Sequence, residues 1–235
     1  MQVMRQVQYM YVQVADELEA SIVEMYQQLL QQTGLAARPP KARLADAKEV
    51  QVTKLEQRAL LAEQAEELYR AHSLYLQALH LAHQHLGHSH PRVQGLLHHL
   101  ADFCYRYGLF DEAADYYQQE SELLKSWEAE NQGADLLGNS LDHLGAVMEK
   151  LNRWDEAGSA YQAALDLRRR TLGNAHPDTR RSLETLAGFF CRQYNWKAAQ
   201  EAYQELYHFA QANLSADDPE SKRYRTNLQQ LSLSR

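Results

Sequence analysis

Hydrophobic positions between residues 141 and 165 predict two amphipathic helices joined by a tight turn near Asn152. Small or apolar residues recur at i, i+3, i+4 and i+7 in the first helix, as Leu141, Leu144, Gly145 and Met148. In the second helix they recur at i, i+4, i+7 and i+8, as Ala157, Tyr161, Ala164 and Leu165. Because a residue with almost no side chain lets a second helix approach closely, we expect Gly145 and Ala157 to receive the large side chains of Trp154 and Tyr161.

This helix pair recurs along the chain at intervals of 42 to 44 residues, upstream from about residue 50 and downstream to Tyr203. Its turn position is occupied in order by Glu66, Gly108, Asn152 and Tyr194. Large aromatic side chains repeat in the second helices and are predicted to be core: Phe110, Trp154, Trp196, Tyr117, Tyr161 and Tyr203. A period of this length built from helix pairs indicates a stack in which each pair buries its apolar face against its neighbours.

The segments between helix pairs also repeat, as LGHSHPRV from Leu86, LGNAHPDT from Leu172 and the degenerate LSADDPES from Leu214. Pro91, Pro177 and Pro219 are expected to open helices, because the missing proline N–H needs no partner in a first turn. The segment after Pro219 is therefore predicted to be a terminal helix that closes the stack.

The first 49 residues differ from the repeat. Residues 1–33 carry an apolar stripe at helical spacing and are predicted to form one long amphipathic helix, although the first dozen also fit a strand. Residues 34–49, with Pro39 and Pro40, are predicted to be a linker, and residues 50–235 the repeat array. The N-terminal helix would pack on the array, plug its groove, or pair with a second copy in a homodimer.

The period, the small and aromatic positions and the repeated LG..HP segment resemble tetratricopeptide repeats, and are similar to the longer-helix variety of kinesin light chains. The resemblance covers roughly residues 50–232. It implies an all-α fold, a right-handed α-solenoid of about four helix pairs with a C-terminal capping helix. It also implies a non-enzymatic scaffold or adaptor that holds a peptide or helix of a partner protein in a concave groove.

In the tetratricopeptide family the first helix of each pair lines that groove. Carried over position by position, the resemblance gives these candidate groove residues: His98, Asp102, Tyr105, Asn139, Asp142, Glu149, Arg181, Glu184 and Cys191. Because this set is acidic on balance, we expect a partner segment with at least one basic residue.

The charge balance, the lengths of the apolar runs and the number of cysteines argue against several classes of function. The 31 acidic residues exceed the 24 basic ones, and no basic stripe is present, which argues against nucleic acid as a partner. No run of apolar residues has the length of a membrane span or a signal peptide. With only Cys104 and Cys191, too few for a disulfide framework, a cytoplasmic protein is expected.

The chain contains no phosphate-binding loop, nucleophile motif or cofactor motif, so we expect neither catalysis nor a cofactor. Seven of the 11 histidines lie between His80 and His99. This region suggests an alternative, a regulatory or sensor module that binds a small ligand or a metal ion. No cysteine or carboxylate completes an obvious ligand set, however, and His90 and His176 belong to the repeated connector, so we predict no metal site.

Overall fold

The computed structural model describes residues 41–128, 133–215 and 217–233. Every regular element in these ranges is an α-helix: α1 Lys41–Gln64, α2 Leu68–Leu86, α3 Pro91–Arg106, α4 Phe110–Glu128, α5 Ala134–Lys150, α6 Trp154–Leu172, α7 Pro177–Arg192, α8 Trp196–Asn213 and α9 Pro219–Leu233. The expected N-terminal helix of residues 1–33 lies outside the described residues. Residues 41–49, which we expected in the linker, belong to α1.

The structure divides between Leu100 and Ala101, inside α3, into two compact units. In the first unit α1 packs against α2. In the second, α4 to α9 each pack against the next helix in sequence. The expectation of an all-α fold built from sequential helix pairs is confirmed, and the order of packing within the second unit is consistent with tetratricopeptide repeats. None of the helices in the described ranges is long and apolar enough to cross a membrane.

The four predicted turn residues share one backbone conformation. Glu66, Asn152 and Tyr194 have φ values of 60°, 58° and 56°, and Gly108 has 78°. In each turn the N–H of the residue after the turn residue donates a hydrogen bond to a carbonyl of the preceding helix. The Arg153 N–H, for example, donates to the Met148 carbonyl at 2.9 Å. This is the hydrogen bond of a left-handed helix cap, which glycine adopts without steric cost.

The repeated connectors end in side chains that cap the following helix. The His176 Nδ1 accepts the Asp178 N–H at 3.2 Å, and the His90 Nδ1 accepts the Arg92 N–H at the same distance. In the degenerate connector, Asp218 replaces histidine and accepts the Glu220 N–H at 2.8 Å. A proline follows each cap as the first helical residue, so the connector histidines have a structural role in starting α3 and α7.

The predicted fit between Gly145 and Tyr161 is present. Tyr161 is buried, and a Cβ atom on Gly145 would lie only 2.7 Å from its ring. The buried face of α5 is broader than the predicted stripe, because α5 packs between α4 and α6. Val147 is fully buried, whereas Leu144 is only half-buried.

The prediction that the aromatic series is entirely core is wrong for one member. Trp154 is 38% exposed, while Tyr117 and Tyr161 are buried. Phe110, Trp196 and Tyr203 are half-buried. Trp154 is the first residue of α6, as Phe110 is of α4 and Trp196 of α8, and none of these three side chains at helix ends is fully buried.

Replacing Glu66 by glycine is expected to raise the free energy of unfolding by about 1 kcal/mol, because glycine removes the cost of the left-handed conformation. Thermal unfolding followed by circular dichroism measures the change. Gln64→Gly, at the end of α1, is the control and should lower stability. If both variants lower stability equally, the turn conformation assigned to Glu66 is wrong.

Replacing Gly145 by alanine is expected to lower the free energy of unfolding by about 1–3 kcal/mol, because the added methyl group collides with the ring of Tyr161. Gly95 offers a matched control, since a Cβ there meets nothing within 4 Å. Gly95→Ala should raise stability by about 0.5–1 kcal/mol through helix propensity. Urea unfolding of both variants tests the close approach, and equal changes of the same sign would contradict it.

Candidate functional site

Asn139 and Asp142 lie on α5 and share one buried partner, Arg168 of α6. The Arg168 side chain is 2% exposed, and its guanidinium donates to the Asp142 carboxylate at 2.5 Å and to the Asn139 Oδ1 at 2.7 Å. It also donates to the Ser182 hydroxyl of α7. Gly138 makes room, because a Cβ there would lie 3.0 Å from the guanidinium carbon. This network connects three successive helices through one charged side chain.

The charge state of Asp142 reflects two opposing effects. Burial raises the pKa of the carboxyl above its usual range, while the positive charge and hydrogen bond of Arg168 act to lower it. Burial prevails. The Oδ1 atom of Asp142 is buried and makes no hydrogen bond in the described structure.

Glu149, further along α5, accepts hydrogen bonds from two side chains. The Tyr161 hydroxyl donates at 2.7 Å, and the Arg192 guanidinium of α7 donates to both carboxylate oxygens at 2.7 Å. Burial acts to raise the pKa of Glu149, but the hydrogen bonds from Arg192 and Tyr161 outweigh it and hold this pKa below its usual value. Glu149 is therefore ionised at neutral pH.

Glu184 on α7 repeats this arrangement with donors from α9. The Arg223 guanidinium donates to it at 2.7 Å, and the Tyr224 hydroxyl donates to the same oxygen. Arg181, one turn earlier on α7, forms an ion pair with Asp178 at 2.6 Å. The two charged groove residues predicted on α7, Arg181 and Glu184, thus have partners within the chain.

The predicted groove residues of α3 fall on both sides of the boundary between the units. In the second unit, Asp102 accepts the Tyr117 hydroxyl, and the Tyr105 ring meets that of Phe110 edge-on at 5.8 Å. In the first unit, His98 is half-buried. Cys191, the position in α7 that corresponds to Glu149, is half-buried, and burial raises the pKa of its thiol.

Exposure decides which charge the surface presents. The Glu149 side chain is 13% exposed and that of Arg192 is 53% exposed; for Glu184 and Arg223 the values are 28% and 53%. In both pairs the guanidinium is therefore on the solvent side of the carboxylate. Three carboxylates on which the expectation of a basic partner was based, those of Asp142, Glu149 and Glu184, already bind arginines of the chain.

Sequence reasoning missed Arg168, Arg192, Arg223 and Tyr224, and it predicted Tyr161 only as a core residue. A signal was present, since Arg192 follows Glu149 by 43 residues and Arg223 follows Glu184 by 39, about one repeat in each case. A basic residue one period after an acidic residue is placed to form an ion pair between neighbouring first helices. Arg168 gave no such signal, because it reaches α5 from the second helix of the same pair.

The histidine-rich region lies in the first unit. The His99 Nδ1 is 2.8 Å from a carboxylate oxygen of the buried Glu56, and this hydrogen bond lowers the pKa of Glu56 against the opposing effect of burial. The rings of His83 and His88 are 4.4 Å apart. Burial, with the nearby His88 and His80, lowers the pKa of His83. His99 thus has a structural partner, as does the capping His90.

Comparison with known proteins agrees with this architecture. A family model for the tetratricopeptide repeat matches residues 136–228. The crystal structure of BtubC (BKLC) from P. vanneervenii aligns with a TM-score of 0.60 and 21% identity, over 83% of this chain and 78% of that one. A kinesin-light-chain-like protein of Podosopora anserina with nearly identical TPR-like repeats aligns with a TM-score of 0.63 and 17% identity, over 78% of this chain and 86% of that one.

These identities establish likeness of fold alone. No curated protein sequence matches the chain. The family model thus shows a tetratricopeptide repeat over residues 136–228, and the solved structures of similar fold are kinesin-light-chain-like proteins.

Acidic pH should reduce the contribution of Glu149 to the free energy of unfolding. Its folded pKa is lowered, so its stabilisation is present above the ordinary glutamate pKa of about 4.3 and is lost as the pH falls through the folded value. Glu149→Gln should therefore be less stable than the natural protein near neutral pH, and the difference should shrink toward about pH 3. Urea unfolding across this range measures it, with Glu201→Gln on the exposed side of α8 as control. A difference that stays constant with pH would contradict the assignment.

Proposed function

We propose that this protein is a non-enzymatic interaction scaffold that binds a peptide or helix of a protein partner along the first helices of its second unit. Tetratricopeptide repeats are generally protein–protein interaction modules, which supports this class of function. The binding residues would include Asn139, Arg181, Glu184 and the ion-paired Glu149. The observation that carries the proposal is a pair of guanidinium groups, Arg192 on α7 and Arg223 on α9, which are more exposed than the carboxylates of Glu149 and Glu184 that they bind.

The chemistry of these groups favours a partner segment with acidic side chains. Arg192 donates to Glu149 from its Nε and Nη2 atoms, and Arg223 donates to Glu184 from its Nη2 atom. A guanidinium has five N–H donors, so each arginine retains donors for a second carboxylate. An acidic ligand can therefore add to these pairs without breaking them, whereas a basic ligand would have to displace an arginine.

The proposal also concerns the location of the protein and its self-association. Cys104 and Cys191 form no disulfide, which supports a cytoplasmic location. Pairing of two copies through residues 1–33 remains a prediction about residues that the structure does not describe. We do not adopt the metal or small-ligand sensor as the main function, because His90 caps α3 and His99 binds Glu56.

Selection from a library of random peptides on the full-length protein tests the proposal. We expect the selected peptides to be enriched in Asp and Glu, and we expect Arg192→Gln combined with Arg223→Gln to abolish this enrichment. Glutamine keeps a donor and removes the charge, so the fold should persist by circular dichroism. Arg58→Gln, an exposed substitution on α1, is the matched control and should select the same peptides as the natural protein.

The results of this selection distinguish the scaffold function from the preference for acidic peptides. Selection of basic peptides, or of acidic peptides equally well by the double variant, would contradict the role given to the arginines. Selection that yields no consensus sequence would contradict the scaffold itself. A neutral consensus that is lost on Asn139→Ala would retain the groove as the binding surface but refute the acidic partner.

A further inference from the structure

A pocket of about 620 Å³ lies outside the predicted groove, between α6 and the end of α7. The start and exposed side of α6 form one wall, with Trp154 and Ala163, and Phe189 and Phe190 of α7 supply aromatic surface. None of the residues predicted for the groove lines this pocket. It is therefore a separate surface of the second unit.

Exposed apolar side chains concentrate at the same end of the helix pairs. In the second unit, the large apolar side chains that are exposed lie mostly within two residues of a left-handed turn position: Tyr107, Leu109, Trp154 and Tyr194. Trp154 is 38% exposed and lines the pocket directly. A tryptophan offers the largest aromatic face for a cation or an apolar group of a ligand.

The charge of the pocket has one sign. Asp155 and Asp166 line it, both are exposed, and among its described lining residues none is basic. The arginine that precedes Trp154 is already neutralised, since Arg153 donates to both carboxylate oxygens of Glu156 at 2.6 and 2.5 Å. The pocket therefore combines an aromatic and apolar surface with two carboxylates and no basic lining residue; the Gln162 amide, which also lines it, donates to Asp166 at 2.9 Å.

The two carboxylates define the length of a ligand. Asp155 and Asp166 are eleven residues apart on α6, which is about 16 Å along a helix axis. An extended peptide covers this distance with about five residues. Basic side chains at both ends of such a segment would reach Asp155 and Asp166, while an apolar side chain between them would contact the aromatic surface.

The structure thus points to a second binding site: we propose that the pocket between α6 and α7 docks an extended partner segment with arginine or lysine at each end and an apolar residue between them. This site is independent of the proposed groove and has the opposite charge preference. The protein could hold an acidic and a basic segment on its second unit at the same time.

Nuclear magnetic resonance of the full-length, 15N-labelled protein tests the pocket through the indole N–H of Trp154. The probe is the capped peptide Arg-Ala-Leu-Ala-Arg, and its counterpart is Glu-Ala-Leu-Ala-Glu. We expect the basic peptide to shift the Trp154 signal in a saturable manner and the acidic peptide to leave it unchanged. The signals of Trp127 and Trp196, which do not line the pocket, serve as internal references.

The repeat supplies a matched pair of variants. Asp155→Asn with Asp166→Asn should weaken binding of the basic peptide roughly fivefold, as expected for two exposed ion pairs. Asp111→Asn with Glu122→Gln changes the corresponding positions of α4, 44 residues earlier, and should leave binding unchanged.

Several results would overturn the site. Equal shifts with both peptides would refute the charge preference, and no shift with the basic peptide would refute the pocket itself. Equal loss in the α6 and α4 double variants would show an effect of overall charge. Ala163→Phe, which fills the pocket without changing its charge, provides a further test, because binding that survives this substitution must occur elsewhere.

Discussion

The buried phenol of Tyr161 requires two things of the preceding helix: space for its ring and an acceptor for its hydroxyl. Gly145 gives the space for Tyr161, and Glu149 accepts its hydroxyl. In the first unit the buried Tyr75 donates to Glu63 across the same interval of 12 residues. A buried hydroxyl without a partner is costly, so close packing of the helix pair and a carboxylate near the candidate groove are linked.

That carboxylate in turn connects one helix pair to the next. Glu149 accepts from Arg192 of α7, and Glu184 of α7 accepts from Arg223 of α9. The charged residues that looked like a ligand surface therefore also hold neighbouring first helices together. Since the arginines lie on the solvent side, the same interaction determines both the cohesion of the second unit and the charge that a partner would meet.

Local rules were sufficient for much of the fold. The left-handed turns at Glu66, Asn152 and Tyr194 follow from their alignment with Gly108, and the capping connectors follow from their proline. Features that depend on two neighbours at once were not predictable from one helix. Val147 is buried because α5 packs between two helices, and Trp154 is exposed because it stands at the end of α6. The ion pairs of Glu149 and Glu184 could have been predicted only by comparing residues one repeat apart.

Arg168 affects how this chain could be divided into modules. Its guanidinium contacts Asn139 and Asp142 on α5 and Ser182 on α7, while the residue itself belongs to α6. A cut between α6 and α7, where the repeat pattern suggests a natural joint, would remove an acceptor from a permanently charged buried group. Chimeras that exchange repeats with another solenoid would therefore have to transfer α5, α6 and α7 together, so the exchangeable block of this protein is larger than its repeating unit.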